Sequence, residues 1–484
     1  MKFNFAIIIH ILGILLMISG GFMFLCFPFS IFFWEGDWIN MLIACAITVL
    51  AGFIAWRRTK NNQNRELKKR DGYLIVSFGW LIMSIFGTLP YLLTGTIPNF
   101  TDAFFETLSG FTTTGASIIT DIESVPKAVL LWRSLTQWIG GMGIIVLTVA
   151  ILPILGIGGM QLFVAEAPGI SPDKLQPRIK ETAKRLWLLY VGLTVAETIL
   201  LMLGGLSFFD ALNHGLTTMA TGGFSTKNSS VAEFSPYLQY VIIGFMFLAG
   251  TNFTLTYFSL KGDFKKVWRN EEFRKYVGLI FFVTLATAVT IYIVTDHDIE
   301  KSFRDALFQV IGITTTTGFV SADYTSWTPF LTVLFFLLMF VGGMAGSTAG
   351  GVKIVRHIIL FKNSLLELKR QVHPAAVIPV RLNRKAVNQE ITYNILAFIM
   401  IYMFIFGIGI VVMSLLGVDF ITSLGSVATS IGNIGPGLGD VGPVDNFAGL
   451  PSAAKWFLAF LMLLGRLELF TFLMLFTPYF WRRY

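Results

Sequence analysis

The stretches DAFFETLSGFTTTGAS (102–117), DALNHGLTTMATGGFS (210–225), DALFQVIGITTTTGFV (305–320) and DFITSLGSVATSIGNI (419–434) repeat one pattern along this chain of 484 residues. In each, an Asp precedes a Gly by 13 residues: Asp102 and Gly115, Asp210 and Gly223, Asp305 and Gly318, Asp419 and Gly432. Each stretch lies between two apolar runs, and the copies recur about every hundred residues, which marks an internal repeat. A single Thr/Gly segment at a loop tip reads equally well as a plain turn. Four copies at one spacing, each between a pair of apolar runs, favour the repeat.

The chemistry follows from the residue types. Asp is a good N-cap for a short helix because its carboxylate accepts the free N–H groups of the first turn. Nine or ten apolar or small residues then give a helix of about 15 Å, long enough to reach mid-membrane and too short to cross it. Such a re-entrant helix directs the partial negative charge of its C-terminus at whatever lies on the axis, where a cation is favoured. The Gly that follows opens backbone angles closed to other residues. Four such stretches supply rings of carbonyl oxygen able to replace the hydration shell of K⁺. Each copy sits between two spans, so all four enter the membrane in one orientation and suit an axis along the membrane normal.

Composition agrees. The chain is 55% hydrophobic and 13% charged, with mean hydropathy +0.71, more apolar surface than a water-soluble fold can hide. Ten apolar runs are long enough to span: 5–29, 39–56, 73–94, 127–155, 186–206, 236–260, 276–295, 328–360 (interrupted), 391–416 and 453–480. The first resembles a signal peptide but lacks a small-x-small cleavage site and continues to Phe29, so it reads as a retained helix. The fold class expected is an all-α membrane protein of about ten transmembrane helices with four re-entrant pore helices around one pseudo-fourfold pore. Its divisions are a two-helix extension (1–70) and pore repeats at 71–185, 186–275, 276–390 and 391–484. The net charge of +8 falls in blocks after the second, fourth, sixth and eighth runs. These include Arg57, Arg58, Lys60, Arg65, Lys68, Lys69 and Arg70, then Lys174, Arg178, Lys180, Lys184 and Arg185, and end with Arg482 and Arg483. By the positive-inside rule these blocks and both termini face the cytoplasm. Nothing interleaves basic and aromatic residues on a polar surface, so no nucleic-acid partner is expected. Cys26 and Cys45 lie in apolar runs and suggest neither disulfide nor metal cluster.

The repeat is broken in two places. The run after the third copy contains GGMAGSTAGGVK (342–353), with glycines at Gly342, Gly343, Gly346, Gly350 and Gly351. Each glycine weakens a helix by about 1 kcal/mol relative to Ala, and irregular backbone in a membrane survives only inside protein or along a water-filled cavity. A flexible gating loop beneath the filter is the favoured reading, and close helix packing through small residues the other. It is not a nucleotide loop, because Val352 separates Gly351 from Lys353 and Ile354 follows; no nucleotide is expected on this chain. Lys353 reads as a pore charge or as a lysine snorkelling to the interface. Arg466 sits mid-span, where an ionisable group by default faces a cavity or a partner. It either raises an electrostatic barrier below the filter or forms a salt bridge with Glu468 or another buried acid. His214 reads as a packing or hydrogen-bonding residue. No nucleophile or metal-ligand constellation supports an enzyme.

The four loops resemble the filter segments of the superfamily of K⁺ transporters that includes bacterial Trk and Ktr and fungal Trk proteins. The resemblance covers nearly the whole chain, and the two extra spans at the start fit the TrkH/TrkG membrane subunit better than the shorter Ktr one. It implies a filter at Thr113, Thr114, Gly115 and Ala116; Thr221, Gly222, Gly223 and Phe224; Thr316, Thr317, Gly318 and Phe319; and Ser430, Ile431, Gly432 and Asn433. Every copy departs from TVGYG, the fourth most of all, so selectivity for K⁺ over Na⁺ rests on the kinship. The resemblance also implies an intramembrane gating loop at 342–353, an arginine at 466 acting on it, a homodimer, and a cytosolic nucleotide-binding regulatory subunit. Basic segments 157–185 and 362–390 offer that subunit a docking surface, or attract anionic membrane lipids. The function implied is K⁺ uptake across the bacterial inner membrane through a gated pore. A K⁺ symporter coupled to H⁺ or Na⁺ is the alternative, and would call on buried acids such as Glu106, Glu197 and Glu468.

Overall fold

The computed structural model describes residues 3–34, 36–60, 69–146, 179–374, 376 and 378–482. Arg65, Lys68, Lys174, Arg178 and Arg483, residues 147–155 of the fourth expected span and most of segment 157–185 lie outside the described residues.

Apolar runs become helices because a helix satisfies its backbone polar groups internally, as lipid demands. Among the described residues, six helices are long and apolar enough to cross a membrane: Phe5–Phe32, Trp38–Thr59, Arg70–Thr94, Lys184–Leu203, Glu271–Val294 and Gln389–Leu415. Two helix pairs, Pro236–Ala249 with Phe253–Leu260 and Ser452–Arg466 with Phe470–Phe476, are bent by 114° and 112° and bring the number to eight if each is one span. The remaining two of the ten expected runs differ. Run 127–155 is helical over Lys127–Val146 up to the end of the described residues. Run 328–360 divides into Pro329–Leu338 and Ile354–Val372 with the glycine loop between them. The described strands are a two-residue antiparallel pair, Arg381–Leu382 with Lys385–Ala386, in the basic connection after that loop.

Four short helices occupy the repeated stretches: Phe100–Phe111, Phe208–Met219, Ile299–Thr314 and Phe420–Gly432. They are deeply buried, with every residue from Ala103 to Phe111 and from Asn213 to Met219 buried. The expected Asp cap holds only in the fourth, where Asp419 Oδ2 accepts the N–H groups of Ile421 and Thr422 at 3.0 and 3.1 Å. In the first two, Asn99 and Ser207 cap, accepting from Thr101 and Asp210. In the third, Asp298 caps a helix one turn longer. Asn, Ser and Asp serve the cap equally well. The repeated Asp102 and Asp210 instead sit within the first turn, where a carboxylate also suits the helix dipole; Asp102 receives Lys455 Nζ at 2.7 Å.

The two N-terminal helices form a tight hairpin. A β-carbon on Gly13 would stand 2.7 Å from the Gly52 carbonyl oxygen, and one on Gly52 equally close to that of Gly13, so the backbones touch as small residues allow in membranes. Phe29 and Phe33 carry the hairpin onto Phe209 of the second short helix, at ring centroids of 6.0 and 5.6 Å. Gly52→Val should force the hairpin apart and cost about 1–3 kcal/mol, read as a lowered melting temperature of the purified protein in detergent. An unchanged melting temperature would mean that the contact is not rigid.

Candidate functional site

Each short helix is followed by a turn in which two residues take left-handed backbone angles with one ordinary residue between them. The pairs are Thr113 and Gly115 (φ 52° and 81°), Thr221 and Gly223 (54° and 78°), Thr316 and Gly318 (56° and 76°), and Asn433 and Gly435 (53° and 104°). In the first three segments these are the residues expected from the sequence. In the fourth they are not. Ser430, Ile431 and Gly432 close the helix, and the matching tripeptide is Asn433-Ile434-Gly435. The equal Asp-to-Gly spacing misleads there because Asp419 is a cap and Asp102 a first-turn residue. Counted from the caps, Asn99 to Thr113, Ser207 to Thr221 and Asp419 to Asn433 are the same distance. The signal that finds this register is the Asn itself, which among non-glycine residues tolerates the left-handed region best.

The tripeptides close a ring. A β-carbon on Gly115 would overlap the carbonyl oxygen of Gly222 in the second segment. One on Gly223 would overlap that of Thr317 in the third, and one on Gly318 that of Ile434 in the fourth. One on Gly435 would lie 2.8 Å from Thr114 O in the first. The contacts run 1–2–3–4–1, always from the glycine to the middle residue of the next tripeptide. Ala116, Phe224 and Phe319 follow the glycines as expected and are buried; Pro436 takes that place in the fourth.

Side chains behind the ring hold it. The residue seven before each left-handed Thr is Glu106, His214 or Gln309, and each braces the chain leaving its own tripeptide. Glu106 accepts from Ser117 Oγ (3.1 Å) and Ile118 N–H (2.9 Å), His214 Nε2 meets Ser225 Oγ (3.0 Å), and Gln309 reaches Ser321 and Ala322. Arg133 pairs with Glu106 at 2.6 Å, donates to Ser225 O at 2.9 Å and lies over the Phe224 ring at 3.6 Å. Gln137 donates to Gly222 O at 2.6 Å and accepts from Phe224 N–H at 3.1 Å. The sequence pointed to neither Arg133 nor Gln137, whose partners lie 92 and 85 residues away. Further out, Asn228 Nδ2 donates to Asp121 at 3.0 Å and so holds that exposed carboxyl below its ordinary pKa.

The glycine loop lies directly against this ring. Gly350 N–H donates to Thr316 Oγ1 at 2.6 Å, and a β-carbon on Gly350 would stand 2.8 Å from both Gly432 O and Asn433 Cβ. Thr348 Oγ1 donates to Met219 O at 3.1 Å. The loop's far end is tied down by Gly342 N–H to Val352 O, Met344 N–H to Gly250 O, Asn252 Nδ2 to Ala345 O and Ala345 N–H to Glu272 Oε1, at 2.6–2.9 Å. Gly343 and Gly346 pack on Gly250 and Asn252, and Gly351 packs on Gly342. Lys353 does not snorkel: it is buried and its ammonium donates to Ala349 O within the loop. Arg466 is buried and donates to Thr348 O and to Gly140 O, both at 3.1 Å. Glu468 is not its partner; that carboxylate pairs with Arg356.

The register of the fourth segment is testable. Gly432 is helical, and a β-carbon there would press on the Ile434 side chain at 3.0 Å and on Met339 O at 3.3 Å, whereas Gly435 combines left-handed φ with the Thr114 oxygen at 2.8 Å. Gly435→Ala should therefore lower cation flux in liposomes and cost about 1–3 kcal/mol, while Gly432→Ala, which keeps a helical φ and displaces mainly the Ile434 side chain, should lower flux less. The reverse order would restore the register expected from the sequence.

The family model described as the TrkH cation transport protein matches residues 37–482. The Trk system potassium uptake protein TrkH of Escherichia coli K12 is 41% identical over 99% of this chain and 100% of its own. The Trk system potassium uptake protein TrkG of the same organism is 36% identical over 98% of each. The crystal structure of the potassium transporter TrkH from Vibrio parahaemolyticus superposes with a TM-score of 0.90 at 36% identity, covering 99% of this chain and 100% of that one. A match of this extent, together with several helices long and apolar enough to span, makes this a multi-pass membrane protein, and the chain belongs to the TrkH family of cation transport proteins.

Proposed function

We propose that this chain is the membrane subunit of a Trk-type potassium uptake system and conducts K⁺ through the ring of four tripeptides. The ring's closure in the order 1–2–3–4–1 carries the reading. A left-handed residue, an ordinary one and a left-handed glycine let successive carbonyls turn to one side, which suits an oxygen-lined K⁺ site. The short helices end at the ring and direct their negative ends to it. Their burial favours re-entrant pore helices inside the four units at 71–185, 186–275, 276–390 and 391–484, because such backbone needs protein around it. The relatives' names as potassium uptake proteins support K⁺ as the ion.

The loop of residues 342–353 acts as the gate in this reading, and Arg466 as the charge that disfavours a cation below the filter. The guanidinium's only hydrogen bonds among the described residues go to neutral carbonyls, so its charge is not cancelled by a salt bridge. The basic connections favour cytoplasmic termini, and an inner-membrane location belongs to the same reading. A homodimer and a cytosolic nucleotide-binding subunit that moves the loop complete the proposal. Coupled symport is the second reading. Glu106 and Glu468 are taken by Arg133 and Arg356, which leaves Glu197, buried beside the second short helix with no ion-pair partner among the described residues. A fixed H⁺ or Na⁺ stoichiometry lost in Glu197→Gln would favour it over a channel.

Purified protein in liposomes should pass K⁺ faster than Na⁺ under equal gradients; equal rates would remove the filter assignment. Arg466→Ala should raise K⁺ flux, by about tenfold for each ~1.4 kcal/mol of barrier removed. Unchanged flux in a normally folded Arg466→Ala variant would leave Arg466 as a strut only.

A further inference from the structure

The four tripeptides are not chemically equivalent, and the difference has one source. The carbonyl oxygens of Thr114, Gly222, Thr317 and Ile434 stand at the same place in the ring, each against the glycine of the preceding segment. Among the described residues, only that of Gly222 receives a hydrogen bond, from Gln137 Nε2 at 2.6 Å. The same side-chain amide accepts Phe224 N–H at 3.1 Å, so it grips the second tripeptide on both sides of Gly223. Gln137 is fully buried and both of its amide functions are used in this grip.

The sequence of the second segment is fitted to that side chain. Its middle residue is Gly, where the others have Thr114, Thr317 and Ile434. A β-carbon at Gly222 would overlap the Gln137 amide carbon, so any other residue there would expel the glutamine. Glycine at 222 and glutamine at 137 are two halves of one contact. The fourth unit shows what the helix carries without it. Gly140 packs on the carbonyl of Phe111 and Gly465 on that of Ile431, two residues before Thr113 and Asn433. Three residues before Gly465, at the place of Gln137, stands Met462, also buried.

We infer that Gln137 is a specificity-determining positioning residue for the ion pathway. It withdraws the Gly222 carbonyl from free motion and sets the second tripeptide at a fixed distance from the axis, so that the ring discriminates cations by size. A carbonyl held by an amide donor cannot collapse onto a smaller ion without breaking that bond, whereas three unbonded carbonyls can adjust. The inference rests on the filter reading above and concerns the chain's own residues.

Gln137→Met has nearly the same volume and the residue that the fourth unit tolerates at this place. Gln137→Glu keeps the acceptor for Phe224 N–H and, when ionised, offers Gly222 O no donor, so it is measured at a pH high enough to ionise it. Relative K⁺ and Na⁺ fluxes are measured for both in liposomes, beside the parent and Gly435→Ala, at matched amounts of monodisperse protein. The K⁺/Na⁺ flux ratio should fall about tenfold in Gln137→Met, as expected for the loss of a buried hydrogen-bond pair, and at least as far in Gln137→Glu. If both variants keep the parental ratio while Gly435→Ala lowers it, the filter reading stands and the role of Gln137 falls. Equal loss of K⁺ and Na⁺ flux with an unchanged ratio also overturns it, since a strut would do that. If Gly435→Ala leaves the ratio unchanged as well, the filter reading itself fails and takes this inference with it. Should Gln137→Met not yield folded protein, Gln137→Glu alone decides between the same outcomes.

Discussion

Backbone-to-backbone contact at four glycines sets the terms for everything around it. At Gly115, Gly223, Gly318 and Gly435 the place of a β-carbon is occupied by, or pressed against, the carbonyl of the next segment, and φ is positive at each. Only glycine meets both demands at no steric cost. Segments that approach so closely must be held by something other than their own side chains. That is why the short helices leading to them are buried almost throughout and why the outgoing chain is braced at Ser117, Ser225 and Ser321. The braces differ in chemistry (a carboxylate, an imidazole and an amide) because each need only reach one hydroxyl or N–H group.

The polar groups gathered behind the ring lie far from water, where an unpaired charge is costly. Each cation there is met differently. Arg133 has Glu106, a carbonyl and an aromatic face. Arg356 has Glu468 and the Phe398 ring. Arg466 and Lys353 have carbonyls instead. The first pair is structural by this measure, since both charges are cancelled on the spot. The last two keep their charge while being fixed in place, and both belong to the glycine loop and its contact. These two cations stand against the loop side of the ring, where the buried Glu272 carboxylate also meets the loop at Ala345 N–H, and the tripeptides themselves carry no charged side chain.

Sequence patterning made most of this legible, and the failures have physical reasons. Three tripeptides follow from the Asp-to-Gly spacing together with the family resemblance. The fourth departs from that spacing because Asp plays two roles at helix starts: a cap at Asp419 and a first-turn acid at Asp102. By spacing Asn433 reads as a flank of Gly432, but its left-handed φ makes it the counterpart of Thr113. The glycine loop and Arg466 were legible because glycines and charge stand out in an apolar run. Their partners were not. Whether Arg466 meets Glu468, two residues on, or the distant Thr348 depends on the break after residue 466, where Glu468 and Leu469 both take positive φ and turn the carboxylate toward Arg356. Gln137 was invisible for the same reason: a buried glutamine in a helix signals only that some partner exists.

The broken helices explain how one loop can act on all four segments. An unbroken third-unit helix would run past the ring and touch one or two of them. Because it opens between Leu338 and Ile354, the loop reaches the second segment through Thr348 and Met219 O, the third through Gly350 and Thr316, and the fourth through Gly350 and Gly432 O. It reaches the first through Arg466, which joins Thr348 O to Gly140 O, and Gly140 packs on the Phe111 carbonyl at the end of the first short helix. The break after Arg466 in the fourth unit frees that side chain to make the last link. A displacement of residues 348–350 therefore cannot be confined to one quarter of the ring. On the proposed reading, the symmetry of the tripeptides supplies a place for the ion, and the departures from that symmetry supply the one loop that contacts all four segments.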